Sequence, residues 1–340
     1  MKKKQETVDE FERIALVRNS GVSKDSVVMG IGDDCAVLEK NETEYTLASC
    51  DLLTEGVHFI REMIKPEELG YKAVAVNLSD IAAMGGIPEQ ILISVAVPKS
   101  YPIQEWKALY RGIDEICRKY DVALVGGDTT SSTGPVMINV TVLGRVEKDR
   151  IHYRRDAETG DVVFVTGSLG ASKAGLELLL GSDDACKEDE RLYLRNKHFR
   201  PEPRCREVRI LNQIAGDSLH ALNDISDGLF SESREIAEAS GHRLVIYKKM
   251  VPVDPLCAKV ATQKKEDGFL WAVTGGEDFE LLGTLDASDA ERIQQTYEQE
   301  TGRPLYFIGS VTEGTGVFLS DDTGLHAVHQ FGFNHFNQND

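Results

Sequence analysis

The chain has 340 residues, of which 41% are hydrophobic and 28% are charged, which is typical of a globular protein long enough for two domains. Its formal net charge of −18 argues against unaided binding to nucleic acid or to an anionic membrane, because either partner requires a basic protein face. An acidic protein that handles polyanions would need metal ions to reconcile the charges.

The six cysteines show no CxxC spacing and no dense framework, so we expect neither a structural zinc site nor a disulfide scaffold. The first residues, Met1-Lys2-Lys3-Lys4-Gln5-Glu6, are basic but lack the apolar segment of a secretory signal. No uninterrupted apolar run is long enough to span a bilayer. We therefore expect a reduced, cytoplasmic protein with no nucleic-acid or membrane partner.

Strand and helix patterns alternate along the chain, which predicts an α/β protein with α+β layers. Pro66 and the two glutamates after it begin a helix, and Gly85-Gly86-Ile87-Pro88 ends it. The polar stretch 147–161 predicts the boundary between an N-terminal domain, residues 1–148, and a C-terminal domain, residues 149–340.

The remaining predicted helices are 7–18, 103–119, a helix that begins near Ser172, 229–240 and 288–300. The predicted strands are 27–31, 45–49, 91–97, 122–125, 136–143, 162–166, 243–247, 270–273, 280–285, 305–311 and 317–320. The predicted loops are 126–134 and the acidic segment 181–191, which is a surface loop or a frayed helix end.

Aspartates recur in short turns of small residues, most of which follow a strand-like run. Carboxylates repel one another, so several of them in one place indicate hard cations that bind oxygen ligands. Each turn also has an ordinary interpretation, in which the aspartate only accepts hydrogen bonds from its own turn. If the turns converge, the sequence predicts a magnesium-dependent enzyme that acts on phosphates. The turns are Gly32-Asp33-Asp34, Ser49-Cys50-Asp51, Ser79-Asp80, Gly126-Gly127-Asp128-Thr129-Thr130 and Asp224-Ile225-Ser226-Asp227-Gly228.

Two of these turns carry the strongest signals. Gly126 and Gly127 allow close approach of the backbone to a ligand and expose N–H groups to phosphate oxygens, and Asp128 would then hold a metal at the end of the strand. Asp224 and Asp227 lie three residues apart, directly before a helix. Ser226 or Asp227 is explained equally well as a helix N-cap, but Asp224 is surplus to capping.

Asp80 lies inside an otherwise apolar helical stretch, residues 73–84. A buried, unpaired carboxylate is costly, so this side chain should face a cation, a partner or solvent. Asp33 and Asp51 each cap a strand, which taken singly is unremarkable. The chain has no GxxxxGK[ST] P-loop, no HRD or DFG element of a protein kinase, no GxSxG elbow and no HExxH pair, so any phosphoryl chemistry uses another scaffold.

Six motifs, in order and with sensible spacing, closely resemble the thiamine-monophosphate kinase family. This family belongs to the superfamily of aminoimidazole ribonucleotide synthetase and selenophosphate synthetase. The similarity extends from Gly30 to the C-terminal 332–336 segment, so it covers nearly the whole chain. The motifs are Gly30-Ile31-Gly32-Asp33-Asp34-Cys35-Ala36, Glu55-Gly56-Val57-His58-Phe59, Ala75-Val76-Asn77-Leu78-Ser79-Asp80-Ile81-Ala82-Ala83-Met84-Gly85, Gly126-Gly127-Asp128-Thr129-Thr130, Asp224-Ile225-Ser226-Asp227-Gly228-Leu229 and Gly275-Gly276-Glu277-Asp278-Phe279-Glu280-Leu281.

The resemblance implies an enzyme that phosphorylates thiamine monophosphate with ATP and several magnesium ions, giving thiamine diphosphate and ADP. It implies a homodimer in which the N-terminal sheet pairs with that of a second subunit as a barrel-like core. The C-terminal α/β domain packs beside this core and completes the site.

The resemblance also implies a role for each matching residue. The implied magnesium ligands are Asp33, Ser49, Asp51, Asp80, Asp128, Asp224 and Asp227. The implied ATP contacts are Tyr110, Gly127, Asp128, Arg154 and Ser226, and the implied thiamine monophosphate contacts are His58, Glu277 and Phe333. Of these, Asp128, Arg154 and Asp227 are the expected catalytic residues. Cys50 replaces the usual threonine of the family and is a further metal contact, either through its carbonyl or through a thiol that would bind magnesium poorly.

The expected mechanism is direct in-line transfer of the γ-phosphoryl group. The acceptor phosphate is already largely ionised near neutral pH, because its second pKa is about 6, so no strong general base is required. Two alternatives remain: a non-catalytic sensor of nucleotides or thiamine phosphates, and another ATP-using enzyme of the superfamily. The intact aspartate set argues against a sensor, and no cysteine precedes Cys35, as a selenophosphate synthetase would require.

Overall fold

The computed structural model describes residues 10–17, 22, 24–181 and 186–333. These residues form two mixed sheets with flanking helices, which confirms the predicted two-domain α/β architecture. The helices are α1 (Glu10–Val17), α2 (Pro66–Ala83), α3 (Ile103–Tyr120), α4 (Ala171–Leu180), α5 (Glu188–Phe199), α6 (Cys205–Ala215), α7 (Leu229–Ser240), α8 (Pro255–Lys264), α9 (Gly268–Thr274) and α10 (Ala290–Thr301). The strands are β1 (Val27–Met29), β2 (Ala36–Glu39), β3 (Glu44–Thr54), β4 (Ile87–Pro98), β5 (Ala123–Ser132), β6 (Met137–Glu147), β7 (Val162–Val165), β8 (Leu219–Asp224), β9 (Arg243–Tyr247), β10 (Leu281–Leu285), β11 (Tyr306–Thr312), β12 (Gly316–Asp321) and β13 (Gly324–Ala327).

The first sheet has the strand order β1-β2-β3-β6-β4-β5, with every neighbouring pair antiparallel except β4 and β5. Strand β5 therefore forms one edge of this sheet. The second sheet has the order β13-β12-β9-β11-β7-β10-β8, in which only β9 and β12 run parallel. None of the helices in the described part of the chain is long and apolar enough to cross a membrane.

Helix α2 is the central element of the fold. Pro66 occupies its first turn, and the Glu68 carboxylate reaches back to accept a hydrogen bond from the Lys65 N–H at 3.0 Å, so the predicted start is confirmed. Of its 18 residues, 15 are buried. A helix that is apolar on nearly every side packs in the interior, and α2 contacts both sheets and helices of both domains.

Several predicted elements are wrong. Residues 126–134 are not a loop, because β5 continues in register with β4 as far as Ser132. Residues 270–273 are not a strand but lie in α9, whose first turn is capped by the Asp267 carboxylate. Strand β3 extends to Thr54, so Asp51 lies inside a strand and does not cap one. Part of the predicted helix 7–18 and residues 182–185 of the acidic loop lie outside the described residues, and α5 begins at Glu188.

Two glycines allow helices α2 and α3 to pack at very short range. A Cβ atom on Gly112 of α3 would lie 1.8 Å from the carbonyl oxygen of Glu67, and one on Gly70 of α2 would lie 2.1 Å from that of Leu109. Because the obstacle in each case is backbone, a side-chain rotation cannot relieve it.

We expect Gly112→Ala to lower the free energy of unfolding by about 1–3 kcal/mol, because the helices must separate to admit the methyl group. Urea denaturation followed by circular dichroism measures the change. Gly134→Ala is the control: a Cβ atom there meets nothing within 4 Å, and we expect a change within about 0.5 kcal/mol. Equal stability of the two variants would contradict the close-packing argument.

Candidate active site

Three aspartates from separate segments meet in the interior between the two sheets. They are Asp34, which follows β1, Asp80 near the end of α2, and Asp224 at the end of β8, and one carboxylate oxygen of each lies within 4.8 Å of the others. We call this set the aspartate cluster. It brings together two of the expected magnesium ligands, and it adds Asp34, for which the sequence predicted no role.

Hydrogen bonds orient two members of the aspartate cluster. Ser49 Oγ of β3 donates to Asp80 Oδ2 at 2.5 Å, and Ser79 Oγ of α2 donates to Asp224 Oδ2 at 2.5 Å. Asp34 Oδ2 is buried, and no hydrogen-bond donor within the described ranges reaches it. An orphaned, buried carboxylate oxygen beside two further carboxylates is suited to a divalent cation that takes oxygen ligands.

Burial and mutual repulsion raise the pKa values of the three members of the aspartate cluster and of their neighbours Asp33 and Asp51. Burial is the larger cause for each of them, and it raises the pKa of Asp33 to about 7 and those of Asp34 and Asp51 to about 6. The pKa values of Asp80 and Asp224 also lie well above the usual range, because neighbouring aspartates add to the effect of burial. Without a cation, the fold therefore disfavours the charged forms of these groups.

Arg154 supplies the positive charge nearest to the aspartate cluster. Its Nη2 lies 2.6 Å from Asp34 Oδ1 and 3.2 Å from Glu235 Oε2, and its backbone N–H donates to Asp33 Oδ2 at 3.2 Å. These carboxylates raise the pKa of Arg154 well above its usual range, against the opposing effect of burial. The structure thus places the predicted ATP contact Arg154 directly against Asp33, a predicted metal ligand, and against Asp34 of the aspartate cluster.

The alternation of side chains along β3 separates Cys50 from its neighbours. Ser49 faces Asp80, and the Asp51 backbone N–H donates a hydrogen bond to Asn77 Oδ1 of α2 at 3.0 Å. Cys50 is exposed and lies between them. Successive side chains of a strand point to opposite faces, so the thiol points away from the aspartate cluster. Only the carbonyl route to a metal stays open for Cys50.

Asp128 stands apart from the aspartate cluster, although the sequence analysis placed all the ligands together. It is exposed on β5, three strands away from β3, which corresponds to roughly 14 Å across the sheet. Asp128 pairs with Ser94 of β4, and the row of paired residues that continues across the sheet from Ser94 reaches the exposed Leu52 of β3. Asp51 belongs to the neighbouring row of paired residues.

A groove beside β5 contains three of the expected ATP contacts. Its volume is about 420 Å³, and Tyr110, Gly127 and Asp128 line it. The Tyr110 ring packs against Trp106 with their centroids 5.1 Å apart. Gly127 has φ of +148°, and a Cβ atom there would lie 1.8 Å from the Ile93 carbonyl oxygen, so only glycine fits.

The turn before α7 is held by a buried glutamate of that helix. Glu232 Oε1 accepts hydrogen bonds from the Asp227 N–H at 2.7 Å and from Ser226 Oγ at 3.3 Å. Burial, reinforced by Glu235, raises the pKa of Glu232 well above its usual range. Asp227 and Ser226, predicted to contact metal and ATP, are thus fixed by a residue that the sequence analysis did not single out.

Two of the three residues expected to contact thiamine monophosphate, Glu277 and Phe333, are bonded to this same turn. The Glu277 N–H donates to the Ser226 carbonyl at 2.7 Å, and the Phe333 N–H donates to the Asp227 carbonyl at 3.1 Å. His58 accepts a hydrogen bond from the Thr54 N–H on Nδ1 at 3.0 Å, which leaves its proton on Nε2. Against the opposing effect of burial, the charge of Lys72 lowers the pKa of Glu277.

Close backbone contact attaches the C-terminal segment to the turn. A Cβ atom on Gly332 would lie 1.6 Å from the Asp227 carbonyl oxygen, and the Gly332 N–H donates to Ser231 Oγ at 3.1 Å. This approach carries Phe333 to the site. The expected motif continues to residue 336, but residues 334–336 lie outside the described residues.

The residues that sequence reasoning missed share a recognisable signal. Asp34 stands next to Asp33 in a doubled aspartate, and Glu232 lies near the start of a helix that follows two aspartates. Lys72 interrupts the apolar α2 in the same way as Asp80. The argument that a buried charge needs a partner applied equally to Lys72.

Comparison with known proteins defines the class first. The N-terminal domain model of the AIR synthase related proteins matches residues 32–146, and the C-terminal domain model of the same proteins matches residues 158–322. The chain is therefore an AIR synthase related protein, with both domains of that class.

Individual relatives narrow this class to a family. Thiamine-monophosphate kinase of Bacillus subtilis is 40% identical over 332 residues, which cover 97% of this chain and 100% of the relative. The structure of AaThiL complexed with AMPPCP and TMP has 32% sequence identity to this chain and a TM-score of 0.84. The match covers 98% of this chain and 99% of the AaThiL chain. Thiamine monophosphate kinase from Aquifex aeolicus has 33% identity, a TM-score of 0.73, and coverage of 85% and 91%. The chain belongs to the thiamine-monophosphate kinase family, which confirms the resemblance predicted from its motifs and makes it an enzyme of the kinase class.

We expect Mg²⁺ to raise the thermal midpoint more at pH 8 than at pH 5, relative to a chelator-treated sample. An unfolded aspartate titrates near pH 3.9, whereas the folded carboxyls titrate near pH 6 to 7. The repulsion between the carboxylates, which destabilises the folded protein, is therefore absent below about pH 4 and grows as the pH rises to about 7. A cation bound among the carboxylates relieves this repulsion. Calorimetry measures the effect.

Asp34→Asn should reduce this Mg²⁺-dependent increase at pH 8, because it removes one charge and one ligand. Asp322→Asn is the matched control, since Asp322 is exposed and pairs only with Lys249 at the surface among the contacts described for it. A magnesium effect that is the same at both pH values, or unchanged in Asp34→Asn, would show that the aspartate cluster does not bind the ion.

Proposed function

We propose that this protein transfers the γ-phosphoryl group of ATP directly, in line, to the phosphate of thiamine monophosphate and releases thiamine diphosphate and ADP. The observation that carries the proposal is the single turn 224–228, which is joined to the aspartate cluster on one side and to Glu277 and Phe333 on the other. The relative that binds AMPPCP, an ATP analogue, together with TMP supports both substrates.

The groove beside β5 is the proposed nucleotide site. Gly127 brings backbone close to the ligand, Tyr110 offers an aromatic face, and Asp128 faces the same groove. The triphosphate would extend from this groove toward the aspartate cluster, where Arg154 and Ser226 lie. An extended polyphosphate is required because the groove and Asp51 are separated by roughly 14 Å.

The proposed metal site uses Asp34 and Asp80 with Asp224, and Asp227, a further proposed ligand, belongs to the same turn as Asp224. Magnesium ions bound there would neutralise the negative charges of the two substrates. Asp33, Ser49, Asp51 and the Cys50 carbonyl are the further ligands that we propose there, and Asp128 would hold a separate ion beside the groove at β5. Arg154, held 2.6 Å from Asp34, adds a permanent positive charge to the same space.

The proposed acceptor site consists of His58, Glu277 and Phe333. Phe333 is 40% exposed, so a heterocycle can reach part of this residue, and Glu277 presents a carboxylate for N–H donors. The acceptor phosphate is itself the nucleophile and is mostly ionised at neutral pH. The side chains therefore need only position the two substrates and neutralise charge, and none needs to remove a proton.

We further propose a cytoplasmic homodimer whose domains meet at residues 148 and 149. Strand β5 supports the dimer, because it is an edge strand with exposed apolar side chains, among them Leu124 at 44% and Val125 at 57%. A ten-residue edge strand that begins with an exposed apolar segment is suited to pairing with another strand. The six cysteines are free thiols, in keeping with a reducing compartment.

ADP release in the presence of ATP and Mg²⁺ should require thiamine monophosphate. Asp227→Asn should reduce kcat by at least about a hundredfold, with unchanged circular dichroism, because it removes a carboxylate that would hold a magnesium ion beside the transferring group. Asp217→Asn, on an exposed turn, is the control. A protein that binds both compounds but releases no ADP would be a sensor, and near-normal turnover of Asp227→Asn would contradict the mechanism.

Val125→Glu should shift the protein from dimer toward monomer in analytical ultracentrifugation, because it places a charge on the apolar edge. Leu180→Glu is the control, since Leu180 is similarly exposed (53%) at the end of α4, in the other domain. If Val125→Glu remains as dimeric as Leu180→Glu, β5 is not the interface.

A further inference from the structure

Helix α2 carries a lysine that is fully buried, with 0% of its side chain exposed. Lys72 Nζ lies 2.8 Å from each carboxylate oxygen of Glu277, which belongs to the C-terminal half of the chain. A buried ammonium group is tolerated only when it is paired. The single negative charge of Glu277 balances the single positive charge of Lys72. The ion pair connects the central helix to the proposed acceptor site.

The surroundings of Lys72 leave Glu277 as its principal charged partner. The Phe199 ring centroid lies 6.0 Å from Nζ, and His198 Nδ1 lies 3.2 Å from Glu277 Oε2 and 3.0 Å from Ser172 Oγ. Burial, followed by the charge of Lys72, lowers the pKa of His198 to about 3, so this imidazole is neutral. His198 therefore contacts the Glu277 carboxylate as a neutral group, and Lys72 supplies the positive charge.

The backbone at Glu277 is held in an unfavourable conformation. Its φ of +67° lies in the left-handed region, and Phe279 nearby has φ of +49°. Hydrogen bonds from the N–H groups of these residues to the carbonyls of Ser226 and Ile225 keep the loop in place. Such strain is retained where the surroundings fix a side chain in one position. The Glu277 side chain is still 26% exposed, so the carboxylate is reachable from the site.

We propose that Lys72 is a positioning residue that orients the Glu277 carboxylate and so sets the affinity for the organic part of the acceptor. This inference rests on the proposed function, in which Glu277 contacts that substrate. Because Lys72 balances its charge, Glu277 offers lone pairs to N–H donors without an unbalanced negative charge. The acceptor it fits is a phosphorylated compound whose heterocycle carries an N–H donor, such as the amino group of the thiamine pyrimidine.

The experiment measures steady-state constants of Lys72→Met, Glu277→Gln and the double variant. Lys72→Met should raise KM for thiamine monophosphate at least tenfold, with KM for ATP and kcat changed less than threefold. In the Glu277→Gln background the same substitution should change KM less than twofold, because Lys72 acts through that carboxylate.

Arg195→Gln is the matched control for a purely structural role. Arg195 of α5 pairs with Glu68 of α2 at 2.5 Å, so it joins the same helix to the C-terminal half without touching Glu277 among its described contacts. Its KM for thiamine monophosphate should change less than twofold. An equal increase of KM in Arg195→Gln and Lys72→Met would overturn the inference in favour of simple domain docking.

The remaining outcomes separate this inference from its premise. If Glu277→Gln leaves KM for thiamine monophosphate unchanged, the proposed substrate contact is wrong. If Glu277→Gln raises KM but Lys72→Met does not, or if the two effects simply add, the positioning role is wrong. Should Lys72→Met fail to fold, Lys72→Gln retains an N–H donor and should give a KM between those of the parent and Glu277→Gln. A parental KM in Lys72→Gln would overturn the proposal.

Discussion

The structure depends on one constraint: helix α2 is buried on nearly every side and yet carries polar and charged side chains. Each must find its partner inside the protein, since water does not reach it. Lys72 pairs with Glu277, Asn77 Oδ1 accepts from the Asp51 N–H, Ser79 donates to Asp224, and Asp80 accepts from Ser49. These partners lie on β3, on β8 and on the loop before β10. Satisfying one helix therefore brings the first sheet, the second sheet and the acceptor loop to a common point.

The same constraint explains why the aspartate cluster belongs to an enzyme that handles phosphates. Burial raises the pKa values of Asp34, Asp80 and Asp224, and each aspartate raises those of its neighbours. Arg154 offsets only part of this repulsion. Groups gathered in this way, without enough cations from the protein, are suited to metal ions. In the proposed function, magnesium at the aspartate cluster would give the acidic chain a site for anionic substrates.

Much of the fold was predictable because local rules agree with the tertiary structure. Pro66 and Glu68 mark the start of α2, and the alternation of strands and helices indicated the α/β class. The errors occurred where tertiary contacts override local preference. Gly126 and Gly127 resemble a turn, but pairing with β4 extends the strand through them. The apolar residues 270–273 resemble a strand, but the Asp267 cap and packing against α8 make them helical.

The sequence by itself determined the family, the α/β class and the types of residue in the site, because the ordered motifs and their aspartates are visible without coordinates. Only the tertiary structure decided which of them meet. Asp34 joins Asp80 and Asp224, Asp128 stands on a different strand, and Lys72 is committed to Glu277. The physical reason is that spacing along the chain defines a local turn or face, whereas the distance between two carboxylates, and hence their pKa values and their use for a cation, is set by packing between segments far apart in sequence.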